Sequence, residues 1–401
     1  MEKKHSWVET WGMSHMRLSL MSYSSRKRTF RLVLHTAIAG ERARIRLCNR
    51  HGAGRVAVGG ACVALCDAQG VIADPGSVRP LTFGGKAGRA LPPGQTIISD
   101  ETDFDVPVGA YLCIDLYIKK GRLQSGNNLD NVRLLFGKGD QCGAGALRHK
   151  KRWADAAIAL AGKILGLSLY TPIPLFQAVE LYNGDGASSI ECFGDSLTQQ
   201  GFWTRPFEER IRALYPGRYS VINKAIAGNR ILRDTSGRFP LRGFFGVKAL
   251  ERVHDDIFAF EGIGHVIFCH GTNDYFQVGT IAGRRSEFAS AEEIAGGVTK
   301  LVAMIRAAGI PVVGLNYVPT GLSRDSRPAK NALRRQLNEW FETCGLFDCS
   351  FDVAAPFTSA ENPDAPPASY VGADRLHPND EGGRVFAQAI DCGVFAEKTA
   401  V

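Results

Sequence analysis

Four short segments of the chain carry groups able to act on an acyl carbonyl: Gly194-Asp195-Ser196-Leu197, Gly228 within KAIAGNRIL, Gly271-Thr272-Asn273-Asp274, and Asp374-Arg375-Leu376-His377. A serine hydroxyl is a poor nucleophile until a neighbouring neutral imidazole takes its proton, and the imidazole works best when a carboxylate holds its other nitrogen. Asp374 and His377 stand three residues apart on one loop, with Pro378 and Asn379 starting the next helix behind them. The tetrahedral intermediate of acyl transfer also needs donors aimed at its oxyanion. The N–H of Ser196, the N–H of Gly228 and the side-chain amide of Asn273 are the candidates. Each segment has a plainer reading on its own. Ser196 or Asp195 can cap a helix, Gly228 can serve a turn, Asn273 and Asp274 can brace their own loop, and the Asp374/His377 pair can be a surface turn. Packing does not explain all four together.

Such groups must be delivered to one place by the elements that precede them. Beyond residue 187, apolar strands (SIECFG, YSVINKA, HVIFCHG, IPVVGLN, FDCSFDV) alternate with amphipathic stretches. In FGVKALERVHDDIFAF, Val247, Leu250, Val253 and Ile257 recur at helical spacing; SAEEIAGGVTKLVAMIRAAG is a second such stretch. Strand and helix in alternation predict a parallel sheet covered by helices on both faces, a three-layer α/β/α flavodoxin-like fold. Reactive groups then gather beyond the carboxyl ends of the strands, and Ser196 follows the first of them, with Gly194 allowing a tight turn.

The first half has a different period. From Thr29 to about Tyr117, short runs alternate every second residue: TFRLVLHTAI, RARIRLCN, GRVAVGGACVALC, QTIISD and YLCIDLYI. These predict antiparallel strands in a β-sandwich. In RARIRLCN, Ala43, Ile45 and Leu47 should face the core while Arg42, Arg44 and Arg46 face water. A helix is expected in WADAAIALAGKILGL, and FQAVELYN returns to the sandwich before a Gly/Ser-rich linker. The expected domains are 1–186, a jelly-roll-like accessory domain, and 187–401, a catalytic domain.

Bulk properties narrow the class. At 401 residues and 45% hydrophobic, the chain can bury more than one sizeable core. The ten cysteines form no CxxC pair or zinc-spaced cluster and read as free, mostly buried thiols; Cys62 and Cys66 share one face of a strand. The net charge of +8 is carried by residues 1–186, where 25 basic residues face 15 acidic ones. Without a nucleic-acid-binding motif, clusters such as RHKKRW read as a solvated face rather than as a site for nucleic acid or an acidic glycan. No run reaches membrane-spanning length, and Glu9, His15 and Arg17 interrupt any signal-peptide core, so a cytoplasmic location is expected.

Taken together, the four segments resemble the blocks of the SGNH, or GDSL, hydrolase superfamily in order and in their placing after strands. The preceding half is similar to the β-sandwich domain of one branch, on TFRLVLHTAIAGERARIRLCN and RPLTFGGK. The resemblance implies Ser196 as nucleophile, His377 as general base and Asp374 as its orienter, an oxyanion hole of Ser196, Gly228 and Asn273, and no metal or organic cofactor. Phe202, Trp203, Asn229, Arg230, Tyr275 and Phe276 lie nearest in sequence. Asn229, Arg230 and Tyr275 are expected to bind substrate, and the mixture suits a sugar ring better than a long chain. The expectation is a carboxylic ester hydrolase removing short acyl groups, acetyl foremost, from a small-molecule or oligosaccharide ester, with neither nucleic acid nor membrane as partner. Alternatives are a lysophospholipase or thioesterase, or a glycan-binding protein with a vestigial hydrolase site.

Overall fold

The computed structural model describes residues 5–19, 22–129, 132–147, 172–236, 243–280 and 282–396. The expected helix in WADAAIALAGKILGL and the basic run RHKKRW lie outside the described residues. Contacts divide the chain into two compact units: Met1–Ser189 with Gly217–Ile222 and Phe260–Gly262, and Ile190–Pro216 with Asn223–Ala259 and Ile263–Val401.

The first unit is built from antiparallel strands: β1 (Ser6–Gly12), β2 (Tyr23–His35), β3 (Gly40–Cys48), β4 (Val56–Cys66), β5 (Arg79–Leu81), β6 (Thr96–Ile98), β7 (Thr102–Val106), β8 (Tyr111–Leu123), β9 (Arg133–Lys138) and β10 (Phe176–Asn183). One sheet runs β1-β10-β3-β6 with β7 also on β3, and the other runs β9-β2-β8-β4-β5. Period-two patterning turns one side of each sheet inward. Val8, Ile45, Leu47, Val179 and Leu181 from one sheet meet Leu32, Leu34, Val63, Ile114 and Leu116 from the other in a single core. Strand β1 comes from an N-terminal stretch in which the sequence signalled no element, because Glu9 breaks its apolar pattern. That carboxylate is nonetheless buried, opposite Glu180 of β10.

The arginine face of β3 is not the wet surface that alternation predicts. Arg46 is buried and Arg44 half-buried, and both close on the buried Glu180: Arg46 Nε lies 2.6 Å from Oε2 and Arg44 Nη2 2.9 Å from Oε1. Register explains the pairing, since Arg44 stands directly opposite Glu180. Arg44 also covers the Trp7 ring at 4.2 Å, and Arg42 covers Tyr182 at 3.9 Å. Burial works to raise the Glu180 pKa, but the hydrogen bonds and charges of Arg46 and Arg44 outweigh it and hold the group below its ordinary value. On the far side of the other sheet, Arg31 and Asp115 form a second pair, 2.6 Å apart and sealed from solvent. Cys62 donates to that Asp115 at 3.6 Å, and all ten cysteines are free, six of them buried.

The second unit holds most of a five-stranded parallel sheet: β11 (Ser188–Gly194), β12 (Tyr219–Ala225), β13 (Ile263–Cys269), β14 (Val312–Leu315) and β15 (Cys349–Phe351). Its order is β12-β11-β13-β14-β15, the 2-1-3-4-5 arrangement of flavodoxin-like folds. The helices are α1 (Ser196–Gln199), α2 (Thr204–Leu214), α3 (Ala249–Asp256), α4 (Thr272–Phe276), α5 (Ala291–Ala307), α6 (Pro328–Thr343) and α7 (Asp380–Gln388). Val266 and Phe268 of β13 face Val253 of α3, Val298 and Leu301 of α5, and Leu337 of α6 in one core. On the opposite side of β13, His265 meets Phe395, and Trp203 at the start of α2 stacks on Phe386 of α7. Helix α5 begins where the sequence indicates, with Ser290 and Glu293 forming a capping box. Among the described residues, no helix is long and apolar enough to cross a membrane.

The Glu180 cluster yields a stability prediction. Glu180→Gln strands two arginines, one of them buried, and should destabilise the fold by about 3–5 kcal/mol in denaturant unfolding. Because the folded pKa is depressed, the ionised group stabilises the fold above the ordinary glutamate value, and that contribution is lost as the pH falls below about 4. A midpoint unchanged in the variant at pH 7 would refute the buried pair.

Candidate active site

Strand β11 ends at Gly194, and Asp195 caps α1 by accepting from the Leu197 N–H at 3.1 Å. Ser196 is therefore the first helical residue and stays partly exposed while its neighbours are buried. Gly194 is required for space rather than for a turn conformation. A Cβ there would sit 2.5 Å from Thr198 Oγ1 and 2.6 Å from the Cys269 carbonyl oxygen. Its φ is not among the positive values, which differs from the tight-turn role expected from sequence.

The loop before α7 supplies the partners of Ser196. Asp374 Oδ1 accepts from the N–H groups of Leu376 and His377, both at 3.0 Å, which folds the loop back on itself. Arg375 at the apex takes a left-handed φ of 57°. Oδ2 then lies 2.7 Å from His377 Nδ1, and His377 Nε2 lies 2.8 Å from Ser196 Oγ. An ionised carboxylate only accepts, so Nδ1 carries the hydrogen and Nε2 is left to accept from the serine hydroxyl. Partial burial works against ionisation of Asp374, but the hydrogen bond and charge of His377, with the two N–H donors, hold its pKa below the ordinary value. Asn379 anchors the loop from the other side, capping α7 through the N–H groups of Glu381 and Gly382.

Gly228 and Asn273 follow β12 and β13, the two strands that flank β11, so the three expected oxyanion donors leave three adjacent strand ends. Gly228 has a φ of 70°, and Gln277 Nε2 holds its carbonyl at 2.8 Å. Asn273 sits in the first turn of α4 and is buried. Asp274 braces a different loop from its own, accepting from Ile231 N at 2.8 Å and Leu232 N at 2.9 Å. Burial lifts its pKa to about 6 despite those donors.

The structure does not present Asn229, Arg230 or Tyr275 to a substrate. Asn229 is buried and fully engaged, donating to the carbonyls of Phe245 and Val247 and accepting from Arg252 Nε at 2.7 Å and from His270 Nε2 at 3.0 Å. Arg230 is buried against Glu287 at 2.7 Å, and Tyr275 and Trp203 are wholly buried. Phe276 is buried as well, while Phe202 is half-buried. Sequence adjacency to a motif placed these residues near the site, but alternate positions on short helices and turns point inward.

Arg252 was not foreseen as a site residue. Buried in α3, it donates from Nη2 to the Gly194 carbonyl at 2.8 Å, from Nη1 to the Lys224 carbonyl at 2.9 Å and to Asp256 at 2.7 Å, and from Nε to Asn229. One guanidinium thus fixes the ends of β11 and β12 and the loop bearing Gly228. The sequence held a signal for it: Ala249, Arg252, Val253 and Asp256 follow the buried helical stripe, and an Arg/Asp pair at i,i+4 on such a stripe implies an internal ion pair.

Residues 192–385 match the model of the GDSL-like lipase/acylhydrolase family. The C-terminal unit belongs to that family. Solved structures similar to this acylhydrolase unit include the acetylxylan esterase Axe2 from Geobacillus stearothermophilus, at 19% identity over 51% of this chain and 93% of that one, with a TM-score of 0.37. A GDSL-like lipase from Bacteroides thetaiotaomicron is 16% identical over 50% of this chain and 85% of that one, with a TM-score of 0.36. No curated protein matches the chain.

Asp195 carries a test of the site's electrostatics. Burial pushes its pKa up to about 7, only partly offset by the Leu197 N–H and the charge of His377. Its Oδ2 is buried without a hydrogen-bond partner. The folded state then holds a proton that the unfolded chain has released above about pH 4, so this group destabilises the fold increasingly as the pH rises to about 7. Asp195→Asn keeps the cap and removes the charge. The melting temperature of the variant relative to the parent should climb between pH 4 and 7 and level off above; a constant difference would contradict the burial effect.

Proposed function

We propose that the chain is a serine esterase that removes a short acyl group, acetyl foremost, from a carbohydrate. The observation that carries this reading is the unbroken chain from Asp374 through His377 to Ser196, with contacts of 2.7 and 2.8 Å. Ser196 Oγ attacks the ester carbonyl as its proton passes to His377 Nε2, and Asp374 stabilises the imidazolium through Nδ1. The N–H groups of Ser196 and Gly228 and the Asn273 amide receive the oxyanion. Collapse expels the alcohol, which takes the proton from Nε2 and leaves an acyl ester on Ser196. Water then attacks that ester, losing a proton to the same nitrogen, and the second collapse returns the proton to Ser196 and frees the carboxylic acid.

A short acyl group is favoured by what the surface offers. The large hydrophobic side chains exposed among the described residues are Val71, Ile98, Val108, Leu214 and Phe288, none of them in the four site segments, whereas a long acyl chain needs an apolar groove. The carbohydrate part rests on the antiparallel sandwich that accompanies the hydrolase unit, an argument from fold analogy. The division of labour proposed is a supporting domain over 1–186 and catalysis over 187–401.

Ser196→Ala should lower turnover of p-nitrophenyl acetate by about 10⁴-fold or more while circular dichroism stays that of the parent. Residual activity near the parent level would reject Ser196 as nucleophile. Acetyl esters should be cleaved at least tenfold faster than octanoyl esters, and acetate should be released from acetylated oligosaccharides. The reverse chain-length preference would instead identify a lysophospholipase or thioesterase.

A further inference from the structure

The sandwich unit gathers cations that the ester chemistry does not use. Where β2, β4 and β8 converge, a hollow of about 460 Å³ is lined by Arg26, Arg55, Lys120 and Arg122 together with Ser24, Ser25, Ala57 and Gly121. The strand register builds it. Lys120 stands opposite Arg26 and Arg122 opposite Ser24 across the β2/β8 pair, while Lys120 faces Ala57 across β4, next to the turn that carries Arg55. No aspartate or glutamate lines the hollow. Arg122 donates to Ser22 Oγ at 3.2 Å, and among the described residues none of the four cations is held in an ion pair with a carboxylate.

Four like charges gather in one hollow, which raises their mutual repulsion and the potential offered to an anion. Strand alternation sets Ser24, Arg26, Lys120 and Arg122 on one face of the sheet and turns the buried Ser25 side chain to the other.

We propose that this hollow binds the acidic groups of an anionic saccharide, with the guanidinium groups of Arg26, Arg55 and Arg122 and the Lys120 ammonium donating to carboxylate or sulfate oxygens. The volume falls in the range of small-ligand sites, about 300–1,000 Å³, rather than that of an open track for a duplex. The lining has no aromatic ring on which a base could stack. The oxyanion chemistry stands on the hollow alone; the choice of a saccharide rests on the carbohydrate reading above.

Titration calorimetry on the full chain tests it with three probes, polygalacturonate for carboxylate, heparin for sulfate and unsubstituted xylan as the neutral polymer, beside a single-stranded DNA oligonucleotide. At least one acidic polysaccharide should bind tenfold or more tighter than both xylan and DNA. Replacing Arg26, Arg55, Lys120 and Arg122 together by Gln should weaken that binding at least tenfold. Replacing Lys86, Arg89, Lys300 and Arg384 by Gln, an equal loss of charge elsewhere, should weaken it less than threefold. Both charge-loss variants should hydrolyse p-nitrophenyl acetate at the parent rate, and Ser196→Ala should bind saccharide like the parent, so failure of the ester reading and failure of this site are separable. Equal binding of xylan or DNA, or equal losses in the two charge variants, would each overturn the proposal.

Discussion

The rim of the parallel sheet that carries Ser196 depends on one buried guanidinium. A sheet delivers strand ends to a common rim but does not fix the loops beyond them, and three loops must agree to within a few tenths of an ångström for acyl transfer. Arg252 accomplishes this with a planar fork of donors that reaches two strand-end carbonyls and the Asn229 side chain at once. Its charge is balanced by Asp256, and the Phe193 ring lies 4.0 Å beneath it, so burial of a cation is tolerated where an unpaired one would not be. His270 adds to the same network, donating to Asn229. Burial first, and the Arg252 charge second, keep that histidine neutral by holding its pKa well below the ordinary value. The polar residues after β12 and β13 are in this sense a frame for the reactive groups rather than a surface for substrate.

Much of this was readable from the sequence because the relevant signals are local. Period-two runs such as YLCIDLYI and helical stripes such as the one in α5 follow directly from which face is buried, and the glycine, asparagine and histidine at strand ends have few structural reasons to recur together. The Asp374/His377 spacing is also local, since a three-residue separation suffices for a carboxylate to hold both the loop backbone and the ring. What the sequence concealed depends on partners far along the chain. Arg44 and Arg46 look like a wet face until Glu180 arrives from a strand more than 130 residues later. Asn229 and Arg230 look like ligands for a sugar until Arg252 and Glu287 are seen to occupy them. In each case a polar residue was read as exposed when a distant hydrogen-bonding or charged partner had made burial possible.

The two units use ionisable groups in opposite ways. In the sandwich, Glu180 and the Arg31/Asp115 pair are structural: donors surround both carboxylates where solvent is excluded, and those around Glu180 hold its pKa below the ordinary value. In the hydrolase unit, Asp195 lies directly before Ser196 with one oxygen unpartnered, and a pKa pushed up to about 7 leaves it only about half ionised at neutral pH, where an ordinary aspartate carries its full charge. Asp374, three residues before His377 and hydrogen-bonded to its ring, is the carboxylate whose pKa is held below the ordinary value.

The contact between Ser196 and His377 spans 181 residues of chain. Closing so long a segment carries a large entropic cost that only the assembled sheet and helices can repay, and the imidazole lies on the last loop before the final long helix. A polypeptide emerging from the ribosome would therefore possess its hydroxyl long before anything could take its proton. Whatever chemistry the two side chains share therefore begins only after residue 377 has been made and the sheet has closed around them.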